Sequence, residues 1–226
     1  MSVAVVMAAG LGTRLRPLTE RWPKPILPID GRPVIATLLH ELAAGGFESF
    51  VVVTGHLAEQ VEELLAALPY PIRFASQPDP AGSADAVRRA EVQPPFLVTA
   101  ADTVYEHGDP GRFWRTFEES GAAGAISIRR QPGRPDHTRI RVEDGRVVKV
   151  VDPSDGSGWT AAPLMAVGPP VAERIAGELP GPPFELAHAF QQAIDAGEHV
   201  AAVEIGETRD LTDPLDLVEE NFPYLR

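Results

Sequence analysis

MAAGLGTRLRPLTERWPKP, residues 7–25, follows the apolar run VAVV and packs two glycines, four basic side chains and three prolines into nineteen residues. An apolar, β-branched run that ends in a glycine-rich basic loop predicts a buried strand with a ligand-binding turn at its carboxyl end. Gly10 and Gly12 let the backbone approach a ligand or take positive φ, with its amides directed at phosphate oxygens. Arg14 offers a planar fork of donors, and Lys24, held between Pro23 and Pro25, is a point charge on a stiffened segment. Two common phosphate loops do not fit. A Walker A motif needs Gly-Lys-Ser/Thr where Gly12-Thr13-Arg14 stands, and the dinucleotide fingerprint needs a third glycine where Leu15 stands. The loop is read as built for a polyphosphate.

Outward from this loop, short β-branched runs alternate with helix-like stretches, which predicts a mainly parallel sheet covered by helices on both faces. Strands are expected at residues 3–7, 50–54, 72–75, 96–99 and 125–128, with helices over 33–44, 58–68 and 111–120. The segment QPDPAGSADAVRRA reads as a loop entering a short helix. From residue 138 the pattern changes. IRVEDGRVVKVV alternates on either side of Asp144-Gly145, a dipeptide that favours a tight hairpin, so a small antiparallel insertion is expected over about residues 138–167. A strand at 160–167, a helix at 184–196, a strand at 200–205 and a closing helix at 213–221 complete the reading, with Asp213 the capping candidate before Pro214.

Length and composition narrow the classes. A chain of 226 residues with 44% hydrophobic content can bury a substantial core within one domain, 1–226. A formal net charge of −12 repels phosphodiester backbones, so nucleic acid is excluded as an expected partner. With no cysteine there is no disulfide framework, thiolate metal site or thiol nucleophile, and a cytoplasmic compartment is expected. The first apolar run reaches Gly10 too soon for a signal peptide or a membrane span. Trp114, Trp159 and the isolated His188 are read as packing or surface residues rather than ligands.

The opening loop resembles the signature of the sugar-nucleotide pyrophosphorylases: Ala-Ala-Gly-x-Gly-Thr-Arg-Leu-x-Pro-Leu-Thr, then Pro-Lys-Pro, is matched throughout by residues 8–19 and 23–25. Further likenesses follow in the family's order along nearly the whole chain. Gln77 with Gly82-Ser83-Ala84 is similar to the family's Gln…Gly-Thr-Ala element at the nucleobase. Asp102 is similar to its Gly-Asp, with Ala101 in the glycine's place. TRDLTDPLDLVEEN resembles its Asp-Ile-Gly-Thr-Pro-Glu-Asp-Leu run and aligns Asp210 with the first aspartate, and FELAHAF resembles Glu-Leu-Thr-Asp-Ala with Glu185 kept.

The resemblance implies a Rossmann-like three-layer α/β/α fold of the nucleotide-diphospho-sugar transferase type. It implies an enzyme that joins a nucleoside triphosphate to a sugar 1-phosphate with loss of pyrophosphate. Ala8, Ala9, Gly10, Gly12, Thr13, Arg14, Gln77, Gly82 and Ser83 would bind the nucleotide. Arg14, Lys24, Asp102 and Asp210 would be catalytic, and Mg²⁺ would sit on Asp102 and Asp210. Glu185 would accept from sugar hydroxyls or else be a partly solvated helix-face acid. At Val150-Val151-Asp152-Pro153, aspartate replaces the lysine of the family's Val-Glu-Lys-Pro, so either a nearby cation such as Lys149, Arg139 or Arg141 reaches in, or Asp152 faces a hydroxyl or positive group on an unusual acceptor, or it is a solvated turn residue. Two other readings stay open, a cytidylyltransferase acting on phosphocholine or another alcohol phosphate and a catalytically silent nucleotide sensor. The nucleobase, the acceptor and the oligomeric state are not fixed.

Overall fold

The structure is a computed structural model that describes residues 2–130, 139–151 and 158–222. The elements run β1 (Val3–Met7), β2 (Pro28–Ile29), β3 (Arg32–Pro33), α1 (Val34–Ala44), β4 (Ser49–Thr54), α2 (Ala58–Ala66) and β5 (Ile72–Ser76). Next come α3 (Ser83–Ala90), β6 (Phe96–Ala100), β7 (Thr103–Val104), α4 (Asp109–Ser120) and β8 (Gly124–Arg129). The remainder is β9 (Arg141–Glu143), β10 (Arg146–Lys149), β11 (Thr160–Val167), α5 (Pro169–Ala176), α6 (Leu186–Asp195), β12 (Val200–Glu204), β13 (Arg209–Asp210) and α7 (Pro214–Asn221).

One nine-stranded sheet has the order β5-β4-β1-β6-β11-β8-β12-β10-β9. Strands β5, β4, β1 and β6 are parallel, and β8 pairs in parallel with β12. Both faces are covered, which explains the near-continuous apolar runs of the first strands. Along β1, Ala4 and Val6 enter the core beneath α1, α2 and α4, while Val5 enters the core beneath α3, α5 and α6. Phe50 and Val52 likewise face one side and Val51 and Val53 the other, as the two-residue strand period requires.

The antiparallel material is distributed differently from the expected insertion. The hairpin of β9 and β10 forms where Asp144-Gly145 predicted it, both residues at positive φ, and joins the sheet edge beside β12. Strand β11, however, lies at the centre, antiparallel to both β6 and β8. Its alternation of buried and partly buried residues fits an interior strand, but no local signal fixes its neighbours. Helix α5 was not anticipated; Pro169-Pro170 form its first turn, where prolines lack only amides that would be unpaired. Among the described residues no helix is long and apolar enough to cross a membrane.

Candidate active site

The glycine loop begins where β1 ends, and the sheet's hydrogen bonding holds both sides of its start. Ala8 N–H donates to Val53 O at 2.8 Å and Ala101 N–H to Met7 O at 3.0 Å, so the ends of β4, β1 and β6 stay in register to the rim of the site. Gly12 has φ +60°, and a Cβ there would meet Thr19 Cγ2 at 2.8 Å, so glycine is needed on both counts. The loop then tightens into short 3₁₀ turns over Thr13–Leu15, Leu18–Glu20 and Lys24–Ile26. Thr19 Oγ1 donates to Gly12 O at 2.9 Å, and His56 Nε2–H donates to Thr19 O at 2.6 Å, which braces the loop against the segment leading into α2.

A third, small core completes the frame. Leu15 packs with Leu27, Ile29, Val34, Val104 and Leu211, so one apolar cluster joins the loop to β2, to β7 and to the residue after β13. Strands β7 and β13 pair antiparallel, with Asp210 opposite Thr103. Asp102 directly precedes the Thr103 that pairs with Asp210, although 108 positions (210 − 102) separate the two aspartates in the chain. Arg209 anchors the pair from behind through ion pairs to Asp30 and to Glu220 Oε2, the latter at 3.1 Å. The Arg209 hydrogen bond holds the Asp30 carboxyl below its usual range, and the same bond raises the guanidinium pKa.

These elements enclose a cavity of about 270 Å³ lined by Ala8, Gly10, Gly12, Thr13, Arg14, Lys24, Asp102 and Thr212, among others. The Lys24 ammonium contacts the Asp102 carboxylate, both side chains about three-quarters shielded. Thr212 Oγ1 lies 3.5 Å from Asp210 Oδ2. The cavity thus joins backbone donors, two cationic side chains and a carboxylate at the carboxyl ends of β1 and β6, where open α/β sheets bind ligands.

Among the described residues no group of three or more His, Cys, Asp or Glu side chains is placed to hold a metal. Asp102, paired with the Lys24 ammonium, and Asp210, paired across the strands with the neighbouring Thr103, are oxygen donors of the kind that a hard cation takes together with water and substrate phosphate oxygens.

A second group of expected residues gathers beside the cavity rather than on its wall. Gln77, only 5% exposed, donates from Nε2 to Gly82 O at 3.0 Å and to Asp85 Oδ2 at 2.8 Å. A Cβ on Gly55 would lie 2.4 Å from Gln77 O and 2.9 Å from Ala9 Cβ, so Gln77 sits one residue's width from the glycine loop. Gly82 has φ +107°, and its missing Cβ would strike the Phe184 backbone at 2.3 Å. Ser83 Oγ donates to Glu185 Oε2 at 2.5 Å and accepts from Leu186 N–H at 2.8 Å. Glu185 therefore ties the loop before α3 to the start of α6, with one carboxylate oxygen engaged there. Asp152 lies outside the described residues.

Four contributors escaped the sequence reading. Thr212, His56 and Asp85 carry no mark of their own; His56 pairs with Thr19 across the fold, and Thr212 and Asp85 meet the nearby Asp210 and Gln77. Arg129 did carry a mark, a charge ending the apolar strand AISIR. It is buried at the carboxyl end of β8, where burial lowers its pKa and the Asp210 carboxylate opposes that shift.

The family model described as nucleotidyl transferase matches residues 3–145. The chain is 30% identical over 162 residues to N-acetylmuramate alpha-1-phosphate uridylyltransferase of Neisseria meningitidis serogroup B, covering 68% of this chain and 70% of the relative. It is 34% identical over 157 residues to CMP-5'-(3-aminopropyl)phosphonate synthase of Streptomyces rubellomurinus, covering 66% of this chain but 24% of that protein. The fold is similar to that of the inositol-1-phosphate CTP transferase from T. maritima, with a TM-score of 0.82 at 20% identity, covering 96% of this chain and 91% of that one.

Proposed function

Because the chain belongs to the nucleotidyl transferase family, which includes the sugar-nucleotide pyrophosphorylases its signature resembles, we propose that it joins a nucleoside triphosphate to a sugar 1-phosphate and releases pyrophosphate. The observation that carries this reading is the convergence of the glycine loop, Arg14, Lys24 and Asp102 on one cavity, with Asp210 paired to Thr103, the residue after Asp102. A phosphate oxygen of the acceptor attacks the α-phosphorus, and the bond to the β-phosphate bridging oxygen breaks, its electron pair leaving with pyrophosphate. The attacking oxygen is already ionised, so no general base is required. What the site must supply is alignment and charge stabilisation.

The amides at Gly10 and Gly12 suit the triphosphate oxygens, and Arg14 the leaving phosphates. Lys24 would part from Asp102 and neutralise charge near the α-phosphorus. Asp102 and Asp210 would hold Mg²⁺, which when bound offsets the charge of the two anions. Gln77 and the turn at Gly82 would receive the base.

A second reading is transfer of a cytidylyl group to an amino- or hydroxyalkyl phosphate or phosphonate. It is favoured by Asp152 in place of the acceptor-facing lysine, since a carboxylate suits an ammonium better than a dianion, and by the likeness to the 3-aminopropylphosphonate relative. A matrix of nucleoside triphosphates against sugar 1-phosphates, phosphocholine and aminoalkylphosphonates, read by pyrophosphate release, tests both readings. Release with any acceptor supports nucleotidyl transfer, and the acceptor that gives it chooses between them. Tight triphosphate binding with no release in any combination points instead to a silent sensor.

A further inference from the structure

Gln77 is held more firmly than a base-reading amide needs to be. Its side chain has two N–H donors, and both are used: one on the Gly82 carbonyl at 3.0 Å, the other on Asp85 Oδ2 at 2.8 Å. A carbonyl and a carboxylate accept and never donate, so the amide cannot turn over without setting its own oxygen against two acceptors. Asp85 is itself fixed, because Arg89 Nε donates to the same Oδ2 at 2.7 Å one helical turn on. Burial alone would push the Asp85 carboxyl up, but the hydrogen bonds from Gln77 and Arg89 outweigh it and hold the group ionised, hence acceptor only. Among the described residues no donor reaches Gln77 Oε1, and this atom is not sealed from solvent.

We propose that Asp85 is a positioning residue for nucleobase recognition, locking the Gln77 amide so that its carbonyl oxygen alone faces the base. The proposal rests on the nucleotidyl-transfer reading and deepens it. A locked acceptor favours a base edge that offers an N–H, such as N3–H of uracil or the exocyclic amine of cytosine, and rejects an edge that offers only a lone pair there. A rotatable amide would take either, because the penalty for a mismatch comes from a polar group left unpaired. The placement of Asp85 on the first turn of α3 also couples this lock to the Gly82 turn, which Gln77 closes.

The test measures dissociation constants of UTP, CTP, ATP and GTP with the full chain, without acceptor, for the wild type and for Asp85→Asn. Asparagine has nearly the same shape but can donate as well as accept, so the Gln77 amide becomes free to turn. The expected result is that the affinity ratio between best and worst base narrows by roughly three- to tenfold, chiefly through weaker binding of the best and stronger binding of the worst. A ratio unchanged in a folded variant overturns the proposal. So does a uniform loss for all four, which marks a structural role only. In the wild type, side-chain amide resonances of Gln77, assigned by their loss in Gln77→Glu, should show two well-separated protons slow to exchange; a rapidly rotating, exchanging amide overturns the lock even if Asp85→Asn does not fold. A wild type that binds no triphosphate at all removes the functional reading itself, whereas one that binds and discriminates but ignores Asp85 leaves that reading standing.

Discussion

The ammonium of Lys24 rests on the carboxylate of Asp102, joining the Pro-Lys-Pro segment to the end of β6 across the cavity. In the absence of substrate each satisfies the other's charge, and a triphosphate would draw both into new partnerships. Lys24→Ala and Arg14→Ala should therefore lower kcat more than they raise the Kd for the triphosphate, by about 10²–10³ in kcat. Lys24→Arg should recover only part of this, because a planar guanidinium has a different reach from a point-like ammonium. Steady-state kinetics alongside equilibrium binding separates the two effects; a change confined to Kd would reduce these residues to simple binding groups.

Asp102→Asn and Asp210→Asn should each depress turnover by about two orders of magnitude or more with the circular dichroism spectrum unchanged, since an amide keeps the shape and loses the charge that a divalent cation requires. Isothermal titration of Mg²⁺ in the presence of triphosphate should show weaker binding in both variants. Activity of the wild type should vanish with chelator and return with added Mg²⁺. Near-normal metal binding and turnover in both variants would contradict the proposed assignment of Mg²⁺ to Asp102 and Asp210.

Gly82→Ala should damage both stability and nucleotide affinity. Its φ of +107° and the 2.3 Å approach of the absent Cβ to the Phe184 backbone leave no room for even a methyl group. Backbone strain alone amounts to about 1–3 kcal/mol, and relief would require the turn to move away from Gln77. Urea unfolding and triphosphate titration should both register the change, whereas Gly108→Ala, where nothing lies within 4 Å, should affect only stability and by less.

Arg209→Ala should affect turnover out of proportion to stability. The ion pair with Asp30 is partly exposed and screened, so its loss should lower unfolding free energy by about 1 kcal/mol or less. Yet Arg209 precedes Asp210 in β13, and releasing it from Asp30 and Glu220 loosens the strand that pairs Asp210 with Thr103, next to Asp102. Thermal melts and kcat measured together should show a small shift in Tm with a larger loss of rate.

His199 gives stability a pH dependence. Burial, helped by the Arg146 guanidinium, lowers its pKa below the ordinary 6.5. The unfolded chain then binds the proton more readily than the folded one, so this contribution is complete above pH 6.5 and declines as pH falls through 6.5 towards the lowered folded value. Urea midpoints at pH 7.5 and 5.5 should fall further for the wild type than for His199→Gln.

How much of this was legible beforehand differs by residue, and the reason is contact distance along the chain. Val3–Met7 and the glycine loop announce themselves because the strand period, the turn chemistry and the charges all act within a few residues. Asp213 was readable as a cap for the same reason: its Oδ1 accepts from Leu215 N–H at 2.8 Å, two positions away. The central place of β11 was not readable, since its partners in β6 lie over sixty residues earlier and nothing local chooses between interior and edge. Asp85 and Thr212 were missed for a different reason: their partners Gln77 and Asp210 stand only eight and two positions away, but nothing in either residue type marks it out until the side chains are seen to meet.

The central claim, that this cavity transfers a nucleotidyl group, is tested most directly by ³¹P NMR of the wild type and Asp102→Asn, each mixed with Mg²⁺, a nucleoside triphosphate and a candidate acceptor from the matrix. The account predicts that, for at least one pair, pyrophosphate and a new anhydride-linked product appear in equal amounts with the wild type, and at least a hundredfold more slowly with the variant. Release of inorganic phosphate instead of pyrophosphate, absence of a coupled product for every pair, or equal rates in the two proteins would contradict it.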